Sequence, residues 1–196
     1  MFDVILGSQS PRRKDILNYL NILFKQSTPP FDEEKIIFEG DPIKYVNQLS
    51  RGKSASLVKE KSNALLITAD TIVYCEGKVY NKPHTSQEAL EYLLALQGRW
   101  HSVYTSVTVN LEGTSITEVE ETRLLFHPLS VEKIQAYHNL VTFEDKAGGY
   151  TIQGPGALIV KQIEGCFYNV LGLPPSTLQQ LLSKLNIDLW DYTLKK

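Results

Sequence analysis

Near its start the chain carries Ser8-Gln9-Ser10-Pro11-Arg12-Arg13, which sets two hydroxyls and two guanidiniums at the head of a helix. Ser10 reads as an N-cap and Pro11 as the first helical residue, where its missing N–H costs nothing. The unpaired N–H groups and partial positive charge of a helix start suit phosphate, and arginine grips phosphate oxygens in pairs. The same residues are accounted for by a plain N-cap followed by a solvated Arg-Arg-Lys face. Neither GxxxxGK[ST] nor GxGxxG occurs, so the common nucleotide loops are absent.

Asp70-Thr71 interrupts an apolar, β-branched run over 64–74. An unpaired buried carboxylate is costly, so such an Asp ends a strand, caps a helix, binds a metal or acts as a base. A strand-end Asp satisfied by backbone N–H groups explains it as well. Lys82, in Asn81-Lys82-Pro83, lies on a turn where a solvated lysine is the ordinary outcome. In Asp145-Lys146-Ala147-Gly148-Gly149-Tyr150-Thr151-Ile152-Gln153-Gly154 the paired glycines let backbone approach a ligand, and Gln153 offers a donor and an acceptor that can read a base edge. A flexible hairpin tip would look the same. Lys53 and Glu33, taken singly, are surface residues. Taken together, Arg12, Arg13, Lys53, Lys82 and Lys146 with Glu33 and Asp70 suit a metal-bridged polyphosphate.

These residues need a scaffold. Residues 2–6 read as a strand, and Ile16, Leu17 and Leu20 give the helix after Pro11 its apolar face. A second helix starts at Asp41-Pro42 and runs toward Lys61, with Tyr45, Val46, Leu49 and Leu57 facing the core. The 64–74 strand turns at Glu76-Gly77 and returns over 78–80. Thr85-Ser86-Gln87-Glu88 is a capping box opening a helix to Leu96. Residues 101–111 and 116–126 form a hairpin around Glu112-Gly113. Ser130 caps a helix to Leu140, 143–156 reads as a functional or mobile loop, 157–163 as a strand, and Pro175-Ser176 open a last helix to Leu185. Interleaved strands and helices with several hairpins predict an α/β fold with a mixed sheet.

The 196 residues suffice for a well-packed core in one domain spanning 1–196. A net charge of −2 gives no general basic field for long nucleic acid. No apolar run spans a bilayer, and the first residues lack the features of a signal peptide. Cys75 and Cys166 are isolated, which predicts a reducing, cytoplasmic setting. His84, His101, His127 and His138 show no zinc spacing.

Six strings occur in order: Ser-Gln-Ser-Pro-Arg-Arg, Ala-Asp-Thr-Ile-Val, Asn-Lys-Pro, Gly-Arg-Trp-His-Ser-Val-Tyr-Thr, Asp-Lys-Ala-Gly-Gly-Tyr-Thr-Ile-Gln-Gly and Tyr-Asn-Val-Leu-Gly-Leu-Pro. Together, from Val4 to Leu182, they resemble the motifs of the Maf family of nucleoside triphosphate pyrophosphatases. The resemblance implies an elongated mixed β-sheet with flanking helices and two lobes around a deep cleft, distantly similar to inosine triphosphate pyrophosphatases. It implies release of pyrophosphate and a nucleoside monophosphate, a divalent metal (Mg²⁺ or Mn²⁺), no membrane partner, and a homodimer. It makes Asp70 the proton acceptor, gives Arg12, Thr71 and Gln153 to substrate choice, and gives Ser8, Arg13, Lys53, Lys82 and Lys146 to the triphosphate. Glu33 becomes a metal-side carboxylate, and whether Asp70 is base, metal ligand or both stays open. Ile152-Gln153-Gly154 resembles the branch acting on dTTP and UTP; the branch acting on 7-methyl-GTP carries a Glu-containing string there. The alternatives are that second specificity, or a nucleotide-binding regulator of septum formation with little catalysis. The chain departs from the commonest pattern with Ser54 for Ala, Trp100 for a smaller residue, Ser106 for Gly, Gly149 for Ala and Thr151 for Gly.

Overall fold

The computed structural model describes residues 2–58 and 63–193. Strands and helices alternate at first: β1 (Val4–Gly7), α1 (Pro11–Tyr19), β2 (Phe24–Gln26), a 3₁₀ turn (Glu33–Lys35), α2 (Pro42–Val58) and β3 (Leu65–Cys75). Then come β4 (Lys78–Tyr80), α3 (Ser86–Leu96), β5 (Trp100–Leu111), β6 (Thr114–Phe126), α4 (Val131–His138), β7 (Val160–Glu164), α5 (Phe167–Val170), α6 (Pro175–Ser183) and α7 (Trp190–Thr193). One seven-stranded sheet runs in the order β2-β1-β3-β5-β6-β7, with β4 paired to β3. β1 is parallel to β2 and β3, whereas the β3–β4 and β6–β7 pairs are antiparallel, so the sheet is mixed as the sequence predicts. Among the described residues no helix is long and apolar enough to cross a membrane.

The chain forms two compact units, and β3, β5 and β6 contribute residues to both. The first holds Met1–Asp70, Thr105–Glu120 and Gly172–Lys196. Every residue of β1 is buried, as expected for a parallel strand covered on both faces. Gly7 allows α2 to lie close to this strand: a Cβ there would sit 2.7 Å from Thr68 Cγ2 and 2.8 Å from Leu57 Cδ1. Ile5, Leu57, Ala64 and Leu66 form one apolar cluster at this contact. The expected extension of α2 to Lys61 falls outside the described residues.

The second unit holds Thr71–Tyr104 and Glu121–Leu171. Thr85 caps α3 by accepting from Glu88 N–H, while the Glu88 carboxylate reaches back to His84 N–H, one residue before the cap. Both hairpins turn on a Glu-Gly pair with positive φ: 47° and 85° at Glu76-Gly77, 48° and 84° at Glu112-Gly113. Two expectations need correction. Residues 157–159 are not strand; a 3₁₀ turn (Gly154–Leu158) precedes β7 because the segment is wound by glycines. The 143–156 segment is no loose tip, since Gly148 through Ile152 are buried.

His101 is buried in this unit, edge-on to Phe126 with ring centroids 4.5 Å apart and with Nε2 2.9 Å from Tyr150 Oη. Burial pulls its pKa down to about 4. The unfolded chain, with an ordinary value of about 6.5, therefore takes up this proton first on acidification. His101 should then withdraw up to about 3 kcal/mol of stability as pH falls from 6.5 through 4, with no effect above 6.5. Urea unfolding of wild type and His101→Gln across pH 7.5 to 4.5 measures it: the wild type should lose stability more steeply, and parallel losses would refute this account.

Candidate functional site

β1 ends at Gly7, and the chain turns through Ser8 and Ser10 into α1. Ser10 Oγ accepts from Arg13 N–H at 3.5 Å, so the N-cap forms. The Arg-Arg-Lys face is solvated only at Lys14, because Arg12 is half-buried and Arg13 buried. Arg13 donates from Nε to Gly172 O at 2.7 Å and from Nη1 to Ser8 Oγ at 3.1 Å. Ser8 Oγ also accepts from Ser10 N–H at 3.2 Å. Arg13 is thus fixed by the loop before its own helix and by a distant carbonyl. A polar pocket of about 430 Å³ opens beside this loop, lined by Ser8, Gln9, Gln26, Ser27 and Thr28. Gln26 Nε2 donates to Ser8 O at 3.2 Å and Gln9 Nε2 to Thr28 Oγ1 at 2.8 Å.

Asp70 does not break its strand; β3 continues through it to Cys75. What makes its burial tolerable is a partner on α2. Thr68 Oγ1 donates to Ser50 O at 3.0 Å. Two residues along the strand and three along the helix, on the same faces, Lys53 Nζ meets Asp70 Oδ2. The same ammonium lies 2.9 Å from Glu33 Oε1, on the 3₁₀ turn. The Lys53 and Asp70 side chains are 12% and 9% exposed, that of Glu33 48%. Ser50 Oγ further bonds Ser106 Oγ at 2.7 Å and Thr108 Oγ1 at 2.9 Å, and Ser106 Oγ donates to Asn47 Oδ1 at 2.8 Å. The Ser106 hydroxyl is therefore used to anchor α2.

Electrostatics couple the two clusters of this unit. Burial pulls the Arg13 guanidinium below the ordinary arginine value, Asp70 opposes that shift, Arg12 adds to it and Glu33 opposes it. Arg13 keeps its charge, as arginine does in proteins. Asp70 and Glu33 converge on one ammonium, so this is a place where a cation is held by hard oxygen donors, the set that Mg²⁺ or Mn²⁺ prefers. Among the described residues no group of three or more His, Cys, Asp or Glu could hold a metal. A divalent ion here would take Asp70 and Glu33 and complete its shell with water and phosphate oxygens, the usual habit of Mg²⁺.

In the second unit, Thr71 is half-buried and Lys82 exposed. Gly148 N–H donates to Asn81 O at 3.0 Å, which ties the Lys82 turn to the 147–149 turn after Lys146. Gly148 has φ 72°, and a Cβ there would meet the Tyr150 ring at 2.8 Å, so only glycine serves. Lys146 pairs with the adjacent Asp145 and is 13% exposed. Gln153 is exposed on the following bend.

Sequence reasoning missed Phe31, Ser50, Gly52 and Tyr137, and had Gly172 within a motif without its role as acceptor for Arg13. Gly52 carried a signal, since glycine in a helix interior costs about 1 kcal/mol against alanine and needs a reason. The reason is Phe31, whose ring would lie 2.3 Å from a Cβ at position 52. That contact seats the segment carrying Glu33 on α2 beside Lys53.

Residues 3–185 match the family model described as Maf-like protein. The chain is 43% identical over 190 residues to a dTTP/UTP pyrophosphatase of Chlamydia felis (strain Fe/C-56), covering 96% of this chain and 97% of that one. It is 42% identical over 191 residues to a dTTP/UTP pyrophosphatase of Chlamydia trachomatis serovar L2 (strain ATCC VR-902B / DSM 19102 / 434/Bu), with the same coverage. To a nucleoside triphosphate pyrophosphatase of Chlamydia pneumoniae it is 37% identical over 193 residues, covering 97% of this chain and 98% of that one.

The Gly52 contact is testable without any ligand. Gly52→Ala should raise amide hydrogen exchange at 31–36 about tenfold while the melting temperature changes by only about a few degrees, because the gain in helix propensity offsets lost packing. Unchanged exchange across 31–36 would show that Phe31 does not seat the Glu33 segment.

Proposed function

Because the chain belongs to the family of Maf-like proteins, we propose that it hydrolyses nucleoside triphosphates, dTTP and UTP foremost, to the nucleoside monophosphate and pyrophosphate. The observation that carries the reading is the buried Asp70 carboxylate, held by Lys53 in a setting that also holds Glu33 and feels Arg13. In this reading water attacks the α-phosphorus, the bond from that phosphorus to the bridging oxygen breaks, and pyrophosphate leaves with the bridging oxygen. Asp70 takes the proton of the attacking water. Ser8 donates a hydrogen bond to phosphate oxygens, and Arg13 and Lys53 hold them and offset the charge that develops on them. Lys82 and Lys146 have the same task by the resemblance of their motifs, and Arg12, Thr71 and Gln153 choose the nucleoside. A bound Mg²⁺ or Mn²⁺, held by Asp70 and Glu33, would supply further positive charge against the phosphates. A homodimer in the cytoplasm completes the reading, supported by the family resemblance and the two isolated cysteines.

Asp70→Asn keeps the shape of the side chain and removes the base. Pyrophosphate release from dTTP and UTP, measured with Mg²⁺ and with Mn²⁺, should fall by about a hundredfold or more, the usual range for loss of a general base, with triphosphate binding retained. Near wild-type release by a folded variant would refute the role, and negligible release by the wild type would favour a regulator that only binds nucleotides. Gln153→Glu should alter the relative rates across a panel that includes 7-methyl-GTP, with little change in melting temperature. Identical relative rates would remove Gln153 from substrate choice.

A further inference from the structure

Tyr137 belongs to α4 and to none of the motifs that suggest chemistry, yet its hydroxyl makes two bonds to one distant residue. Its Oη accepts from Thr151 N–H at 2.9 Å and donates to Thr151 O at 3.1 Å. Both residues are buried, at 2% and 8% exposure. Burial pushes the phenol up to about 12, so it stays protonated and able to donate at any working pH.

The bond pattern continues to Gln153. Thr151 Oγ1 accepts from Gln153 N–H at 3.1 Å, and Gln153 O accepts from Gly156 N–H at 3.0 Å. Gly156 is pressed so closely on the same strip that a Cβ would lie 2.1 Å from Thr151 O. Both polar backbone groups of Gln153 are thus committed, and its side chain extends into solvent from a fixed base. The Thr151 hydroxyl is the acceptor in this path.

We infer that Tyr137 and Thr151 are positioning residues for nucleobase choice: Tyr137 clamps the Thr151 backbone, and Thr151 presents Gln153 at a fixed place and angle. This rests on the reading of Gln153 as a specificity residue. A hydrogen-bonding side chain discriminates between bases only if it is held still, since a loose amide can adapt to the wrong edge as readily as to the right one. The device spends buried bonds on backbone position and leaves the amide free to recognise.

The test compares kcat/KM for dTTP and UTP with kcat/KM for CTP and GTP. Tyr137→Phe should lower that ratio about tenfold, the effect of one well-placed hydrogen bond, and raise hydrogen exchange at Thr151 and Gln153. Thr151→Val should lower it similarly, whereas Thr151→Ser, which keeps the acceptor, should restore it. Adding Tyr137→Phe to Gln153→Glu should shift the ratio less than it does alone, because the two act through one contact. A purely structural tyrosine would instead lower the melting temperature and reduce all four substrates equally. Should Tyr137→Phe not fold, Thr151→Val and Thr151→Ser decide alone. A ratio within about twofold of wild type in folded Tyr137→Phe or Thr151→Val, or full additivity with Gln153→Glu, overturns the inference. A wild-type protein that releases no pyrophosphate overturns the hydrolase reading as well, and is distinct from intact turnover with an unchanged ratio.

Discussion

Lys53 and Asp70 have nearly left the water, and neither could do so alone. Stripping one charge of its hydration costs several kcal/mol even after relaxation, and removing one member of such a pair typically costs about 3–5 kcal/mol. The first unit is arranged around keeping this pair together. Gly7 lets α2 approach the sheet, Thr68 fixes the rise of the helix against β3 through Ser50, and the Ser50–Ser106–Thr108 hydroxyls fix its rotation. Gly52 and Phe31 then bring Glu33 to the free side of the ammonium. Each is a small-residue or hydroxyl contact, because only such contacts let a helix backbone come near enough for a lysine to end on a strand carboxylate.

The second unit meets a different problem by different means. Lys82 and Gln153 are exposed, so no large desolvation penalty must be offset there. What those groups lack is a regular element to hold them. The chain supplies backbone constraints in its place: Gly148 reaches the carbonyl of Asn81 in a conformation closed to other residues, and a tyrosine hydroxyl holds both backbone groups of Thr151. Pairing fixes charge in the first unit and again at Lys146 and Asp145 in the second, where Lys82 and Gln153 depend on backbone bonding for their position.

This difference decides how much could be read from sequence. Capped helices were legible because the cap, the proline and the apolar face lie within one turn: Ser10 with Pro11, Thr85 with Glu88, Ser130 with α4. The Glu-Gly hairpins were legible for the same reason. β2 was not, since three residues paired in parallel to β1 carry no signal of their own. Asp70 looked like a break in its strand because the group that neutralises it lies 17 residues away on another element. Arg13 looked like half of a solvated face because its acceptor, Gly172 O, is 159 residues distant. The residue types of the candidate site were visible; the partners that give them their state were not.

Charge bookkeeping within the first unit explains why a cation belongs to the proposed chemistry. Arg12, Arg13 and Lys53 face Asp70 and Glu33, which leaves one net positive charge. A triphosphate brings several negative charges and would have to lie beside two carboxylates in a setting of reduced dielectric, where like charges repel far more than in water. Lys53 cannot relieve both, because its ammonium is already shared between those carboxylates. In the proposed chemistry a divalent ion arriving with the substrate would add positive charge here, and oxygen donors that converge on an ammonium would suit it. The lysine holds the two carboxylates together, with Asp70 buried and Glu33 half-exposed, and this would account for its place in a site proposed to take an anion.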